Sequence, residues 1–126
     1  MPAAEVVDLA DELFAAIERG DEARLEDLFA DDIAVWRAGA RRDDDKVRAL
    51  KVLHWFIDVT TQRRYEILDR QLFPGGFVQQ HILHATGRSG GLIALRVCIV
   101  IKVGGDNLIT RIDEYFDPAQ LAPLMN

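Results

Sequence analysis

The sequence predicts an α+β domain, with helices gathered on one face of a mostly antiparallel sheet, and three observations carry that expectation. Apolar residues recur at three- and four-residue spacing in segments 3–18 and 44–58, the periodicity of helices with one buried face. From Arg63 onward the pattern changes to long runs of strand-forming residues separated by short glycine-rich clusters. Helices first and strands afterwards is the α+β order. One domain is expected over residues 1–126, because a chain of this length buries roughly two-thirds of its unfolded surface in a single core.

In the first segment Val6, Val7, Leu9, Ala10, Leu13, Phe14 and Ile17 form the apolar stripe, and Gly20 ends the helix. Asp21 suits the N-cap of a second, short helix carrying Leu25, Leu28 and Phe29, which Asp31-Asp32 is expected to close. Ile33-Ala34-Val35-Trp36 then reads as a short strand. The run Asp43-Asp44-Asp45 offers caps and favourable dipole charges for a third helix, about 44–58, whose apolar side holds Val47, Leu50, Leu53, His54, Phe56 and Ile57.

Four strands follow: Tyr65 to Leu72, Phe77 to Thr86, Leu92 to Val103 and Leu108 to Phe116. Their separators, Pro74-Gly75-Gly76, Gly87 to Gly91 and Gly104 to Asn107, are short enough for hairpins. In the third of them the odd positions Ile93 to Val103 are uniformly apolar, whereas the even ones include Arg96 and Lys102, so the odd face points inward. In the last, Ile112, Glu114 and Phe116 share a face. A carboxylate therefore stands among apolar neighbours on the side expected to be buried. Asp117-Pro118 stops the sheet, and Ala119 to Met125 reads as a final short helix.

Charge and composition exclude several functions. A formal net charge of −6 argues against a nucleic-acid partner bound through its phosphates. No stretch approaches the roughly 20 apolar residues that span a bilayer, and no basic segment with an apolar run opens the chain, so no membrane association and a cytoplasmic location are expected. The single cysteine, Cys98, reads as a small buried hydrophobe. No phosphate loop, dinucleotide glycine pattern, Ser-His-Asp order or compact metal-ligand motif is present, and no cofactor or metal is expected.

The order of elements, with Gly20-Asp21, Leu28-Phe29-Ala30-Asp31-Asp32, Val35-Trp36 and the ending Ile112-Asp113-Glu114-Tyr115-Phe116-Asp117-Pro118, resembles the SnoaL-like branch of the nuclear-transport-factor-2-like superfamily. That resemblance covers nearly the whole chain. It implies a cone-shaped, strongly curved sheet closed by three helices over a pocket, and a homodimer paired through the outer sheet face. The superfamily holds polyketide cyclases, ketosteroid isomerases, limonene epoxide hydrolases and proteins without catalysis, so the residues must decide the chemistry.

By the resemblance, the water-binding Tyr and Asn of limonene epoxide hydrolases fall on Trp36 and Ala38, their water-binding carboxylate on Glu114, and their Arg and Asp near His81 and Leu83. Only Glu114 keeps its chemical type. The ketosteroid isomerase base falls near Ala38 and its oxyanion-hole groups at Leu13 or Phe14 and near Ile99, none of which moves a proton or donates a hydrogen bond from its side chain. Neither mechanism is carried by these residues.

The expected site therefore has Glu114 and His81 as an acid–base pair facing one cavity, with Trp36, His54, Ile99, Ile112 and Phe116 around a small apolar ligand. A carboxylate in a dry pocket has a raised pKa and can shuttle protons near neutrality, and an adjacent imidazole complements it. Periodicity alone leaves open whether His81 or His84 faces inward; the resemblance favours His81. The leading reading is a small-molecule pocket protein, a cofactor-independent isomerase, cyclase or hydratase. Its rival is a non-catalytic ligand-binding or dimeric interaction module, in which Glu114, His81 and His54 are satisfied core residues.

Overall fold

The computed structural model describes residues 2–125. Helix α1, Ala3–Arg19, buries Val6, Leu9, Ala10, Leu13, Phe14, Ala16 and Ile17. Gly20 ends it in the left-handed region (φ 72°), where its N–H reaches the carbonyls of Ala16 and Ile17 and a Cβ would be strained. Helix α2, Glu22–Leu28, is capped by the Asp21 carboxylate, and α3, Lys46–Val59, by that of Asp45, which accepts the Arg48 N–H at 3.0 Å. The other two aspartates of the acidic run bind side chains: Asp43 takes Arg111 at 2.8 Å, and Asp44 takes Arg37 at 3.3 Å.

Five strands follow the order β1-β5-β4-β3-β2 in one curved, open sheet. They are β1 (Phe29–Arg37), β2 (Thr60–Phe73), β3 (Gly76–Gly87), β4 (Leu92–Val103) and β5 (Ile109–Tyr115). Only β1 and β5 run parallel. A register shift between Ile67 and Asp69 marks an irregularity in β2, the kind of local extra residue that bends a strand. Where β3 begins it runs close to β4: a Cβ on Gly76 would collide with the Ile101 carbonyl oxygen.

Three boundaries differ from the sequence expectation. Asp31-Asp32 does not close α2; it lies exposed within β1, which starts at Phe29 because Phe29 and Ala30 are buried and Phe29 pairs with Ile109. Strand β2 starts five residues early, at Thr60, directly where α3 ends. The final element, Pro118–Leu124, is a 3₁₀ helix, as suits a segment whose Pro123 has no N–H and crowds the preceding turn.

The inward face of β4 is the odd one, with Ile93, Leu95, Val97, Ile99, Ile101 and Val103 all buried. On β3, His81 points inward with 1% exposure, whereas His84 points out and binds Glu66 at 2.8 Å. No helix among the described residues is long and apolar enough to cross a membrane.

Candidate functional site

Between α1, α3, the 3₁₀ helix and the inner sheet face lies a cavity of about 110 Å³. Its walls are mostly apolar, including Phe14 from α1, Trp55 and Phe56 from α3, Ile99 from β4, Ile112 from β5, and Phe116. Three polar side chains open onto it: Arg37, Tyr65 and Glu114. An apolar chamber with a few convergent polar groups is the usual form of a small-molecule site. A larger cleft of about 660 Å³ along β2, β3 and β4 is open to solvent. Its Arg63 is held by the carbonyls of Ile17, Ile57 and Thr60, and its His84 by Glu66.

The parallel pairing of β1 with β5 sets Arg37 opposite Glu114. The Arg37 Nε lies 3.5 Å from Glu114 Oε1, and its Nη1 donates to Asp44 at 3.3 Å. Glu114 retains 25% exposure, but it faces the enclosed, apolar chamber. Loss of hydration there raises the carboxyl pKa, and Arg37 opposes the rise without cancelling it. Burial likewise holds the Tyr65 phenol well above its ordinary range, and the charge of Glu114 adds to that, so Tyr65 is a neutral hydrogen-bond donor. Its hydroxyl makes no hydrogen bond among the described residues.

His81 is not part of this chamber. Glu114 pairs across the sheet with Ile99, which faces Gln79, whereas His81 sits one row on, opposite Val97. Its ring is sealed behind Phe14 and Tyr65, with centroids 5.5 and 4.9 Å away. The carboxylate partner expected of His81 is replaced by an amide: Arg70 Nε donates to Gln79 Oε1 at 2.7 Å, and Gln79 Nε2 lies 2.8 Å from His81 Nδ1. Because Arg70 only donates, the amide N–H must face the imidazole, which puts the ring proton on Nε2. Burial and the charge of Arg70 push the His81 pKa down to about 4. It is a neutral core histidine at pH 7.

Two further expectations are corrected. Trp36 lies outside the chamber, where its indole packs against Tyr115 at a tilt of 53°, centroids 5.1 Å apart, and donates to the Ala40 carbonyl at 3.0 Å. Strand alternation explains it: Val35 and Arg37 take the inner face of β1, leaving Trp36 the outer one. His54 is exposed and pairs with Glu22 of α2 at 2.7 Å. Ile99, Ile112, Phe116 and Glu114 do line the chamber. Arg37, Tyr65 and Trp55 were not anticipated there. Arg37 was legible as the inward residue two after Val35 once β1 is extended past Trp36. Tyr65 needed the pairing with Leu83, since β2 is polar on both faces.

No protein-family model and no curated protein sequence matches the chain. Solved structures do. An LEH-like epoxide hydrolase of M. tuberculosis superposes with a TM-score of 0.79 at 17% identity, over 97% of this chain and 90% of that one. A Delta 5-3-ketosteroid isomerase from Mycobacterium sp. gives 0.79 at 20% identity, over 92% and 95%. A protein assigned as a SnoaL-like polyketide cyclase, from Shewanella denitrificans, gives 0.82 at 15% identity, over 98% of each chain. The chain shares the fold of these structures. Within it the chamber occupies the space between helices and inner sheet face, and the side chains in it are this chain's own.

Proposed function

We propose that this protein binds a small apolar molecule in the chamber and moves a proton on it, as a cofactor-independent isomerase, cyclase or hydratase in which Glu114 is the acid–base group. The observation that carries the reading is Glu114 itself, a carboxylate of raised pKa facing an apolar chamber beside Arg37. Arg37 holds the carboxylate at 3.5 Å and limits its pKa rise, which favours the base form. Tyr65 offers a donor for a ligand oxygen. The solved structures named as an isomerase, an epoxide hydrolase and a SnoaL-like cyclase support the reaction classes. His81 is left out of the acid–base role, because it lines no wall of the chamber.

The test is a panel of small cyclic ketones, enones and epoxides incubated with the protein in deuterated buffer and followed by NMR. Deuterium entering one carbon position, or one substrate converting, supports catalysis. Saturable binding with no exchange and no conversion across the panel favours the non-catalytic binding module.

A second proposal concerns assembly: two copies pair about a twofold axis through the outer sheet face, with Arg96, Cys98, Val100 and Tyr115 at the contact. Tyr115 is 50% exposed and Leu92, on the same face, 70%. Pairing removes this apolar surface from water. Light scattering is expected to give twice the monomer mass of 14.2 kDa; a monomer at micromolar concentration sinks the proposal.

A further inference from the structure

We propose that the chamber takes its ligand through the outer face of α3, and that the ligand class is a small apolar molecule carrying a carboxylate. This rests on the reading of the chamber as a ligand site and adds to it where the ligand enters and what charge it bears. Four residues of α3, Arg48, Lys51, Val52 and Trp55, line an outer groove of about 240 Å³. They stand at three- and four-residue spacing on one stripe of the helix. Val52 and Trp55 line the inner chamber as well. The same two apolar side chains are thus the inner wall of one space and the floor of the other, and entry by this route requires Trp55 to turn aside.

The charge at this mouth runs against the rest of the molecule. The chain carries a formal −6, yet the two polar residues of the groove are both cations, and no carboxylate lines it. Lys51 has no ion pair among the described residues, whereas Lys46, Arg48 and His54 of the same helix pair with Asp31, Asp44 and Glu22. Arg48 is 76% exposed and lies 3.4 Å from Asp44, which Arg37 also engages. A local positive mouth on an acidic protein concentrates anions there. The dimensions divide the ligand. A chamber near 110 Å³ accommodates a body no larger than a small ring, and the ligand's carboxylate remains outside it, within reach of a planar guanidinium and an ammonium.

The experiment compares 3-phenylpropanoate, 3-phenylpropanamide and 3-phenylpropylamine by calorimetry, with the two indole N–H signals followed by NMR and assigned through Trp36→Phe. Solvent-exposed ion pairs contribute little each, so the carboxylate is expected to bind about 3- to 30-fold more tightly than the amide, and the amine more weakly still. The Trp55 signal shifts, the preference shrinks with added salt, and Arg48→Glu with Lys51→Glu abolishes it. Equal binding of all three compounds with a Trp55 shift overturns the charge selection and leaves the chamber reading standing. A preference that survives in the double variant overturns the role of Arg48 and Lys51 and moves the anion contact inward to Arg37. No binding of any of the three overturns both.

Discussion

Glu114→Gln is expected to slow deuterium exchange into a turned-over ligand by about 10²- to 10⁴-fold, the usual loss when a positioned general base is removed. The substitution keeps the size and planarity of the side chain among Ile99, Ile112 and Phe116 and removes only its capacity to hold a proton. Arg37 still has Asp44 at 3.3 Å, so the variant leaves no unpaired cation in the chamber. A folded variant with undiminished exchange would end the acid–base reading. The pH profile gives an independent check. The base form of Glu114 accumulates only above its pKa, which burial raises over the ordinary 4.5, so the wild-type rate should climb along an acid limb displaced upward. Arg37 pulls that pKa down; Arg37→Met should therefore move the limb higher. A limb that stays put, or moves lower, would mean that Arg37 does not set the carboxyl's proton affinity.

The fold was legible in the sequence because its signals are periodic and local. Alternation along β4 assigned every inward residue, and turn-forming clusters marked the hairpins that the sheet uses. Glu114 was legible for the same reason: its neighbours two positions away, Ile112 and Phe116, fix its face, and its face fixes its surroundings. What local pattern could not supply was the partner. Arg37 meets Glu114 through a parallel pairing of strands that begin 80 residues apart, Phe29 against Ile109, and nothing in either segment announces that register. His54 shows a different failure. Helical periodicity put it on the apolar side of α3, yet a single position on a 14-residue helix lies at the edge of the stripe, where it turns to Glu22 on α2. Trp36 was misplaced because the resemblance set it at a pocket position, whereas alternation along β1 gives the inner face to Val35 and Arg37; on the outer face its indole N–H reaches the Ala40 carbonyl and its ring packs at a tilt against Tyr115.

Acidification from pH 7 to pH 4 is expected to cost this protein about 3 kcal/mol of folding stability through His81 alone. The folded imidazole resists protonation down to about pH 4, because the ring is dehydrated and Arg70 stands near it. In the unfolded chain the same ring takes its proton near 6.5. Between those values the unfolded state binds more protons than the folded one, so stability rises with pH across that window and levels off on either side. A difference of about 2.5 pKa units corresponds to about 3 kcal/mol at 1.36 kcal/mol per unit. Glu114 works in the opposite sense: its raised pKa lets the folded state hold a proton that the unfolded state has lost, so it adds stability as pH falls through its folded pKa. The two are separated by difference. His81→Gln keeps an acceptor for the Gln79 amide at the place of Nδ1 and removes the titration, while Glu114, His54 and His84 remain in both proteins. Urea unfolding at several pH values should then show the wild type losing about 3 kcal/mol more than the variant between pH 7 and pH 4. Proton-coupled ¹⁵N spectra of the wild type at pH 7 should find the ring proton on Nε2, where the chain of donors from Arg70 through Gln79 places it. Parallel stability curves for the two proteins would show that His81 charges as readily in the fold as in water, and a proton on Nδ1 would reverse the direction of the Arg70–Gln79–His81 chain.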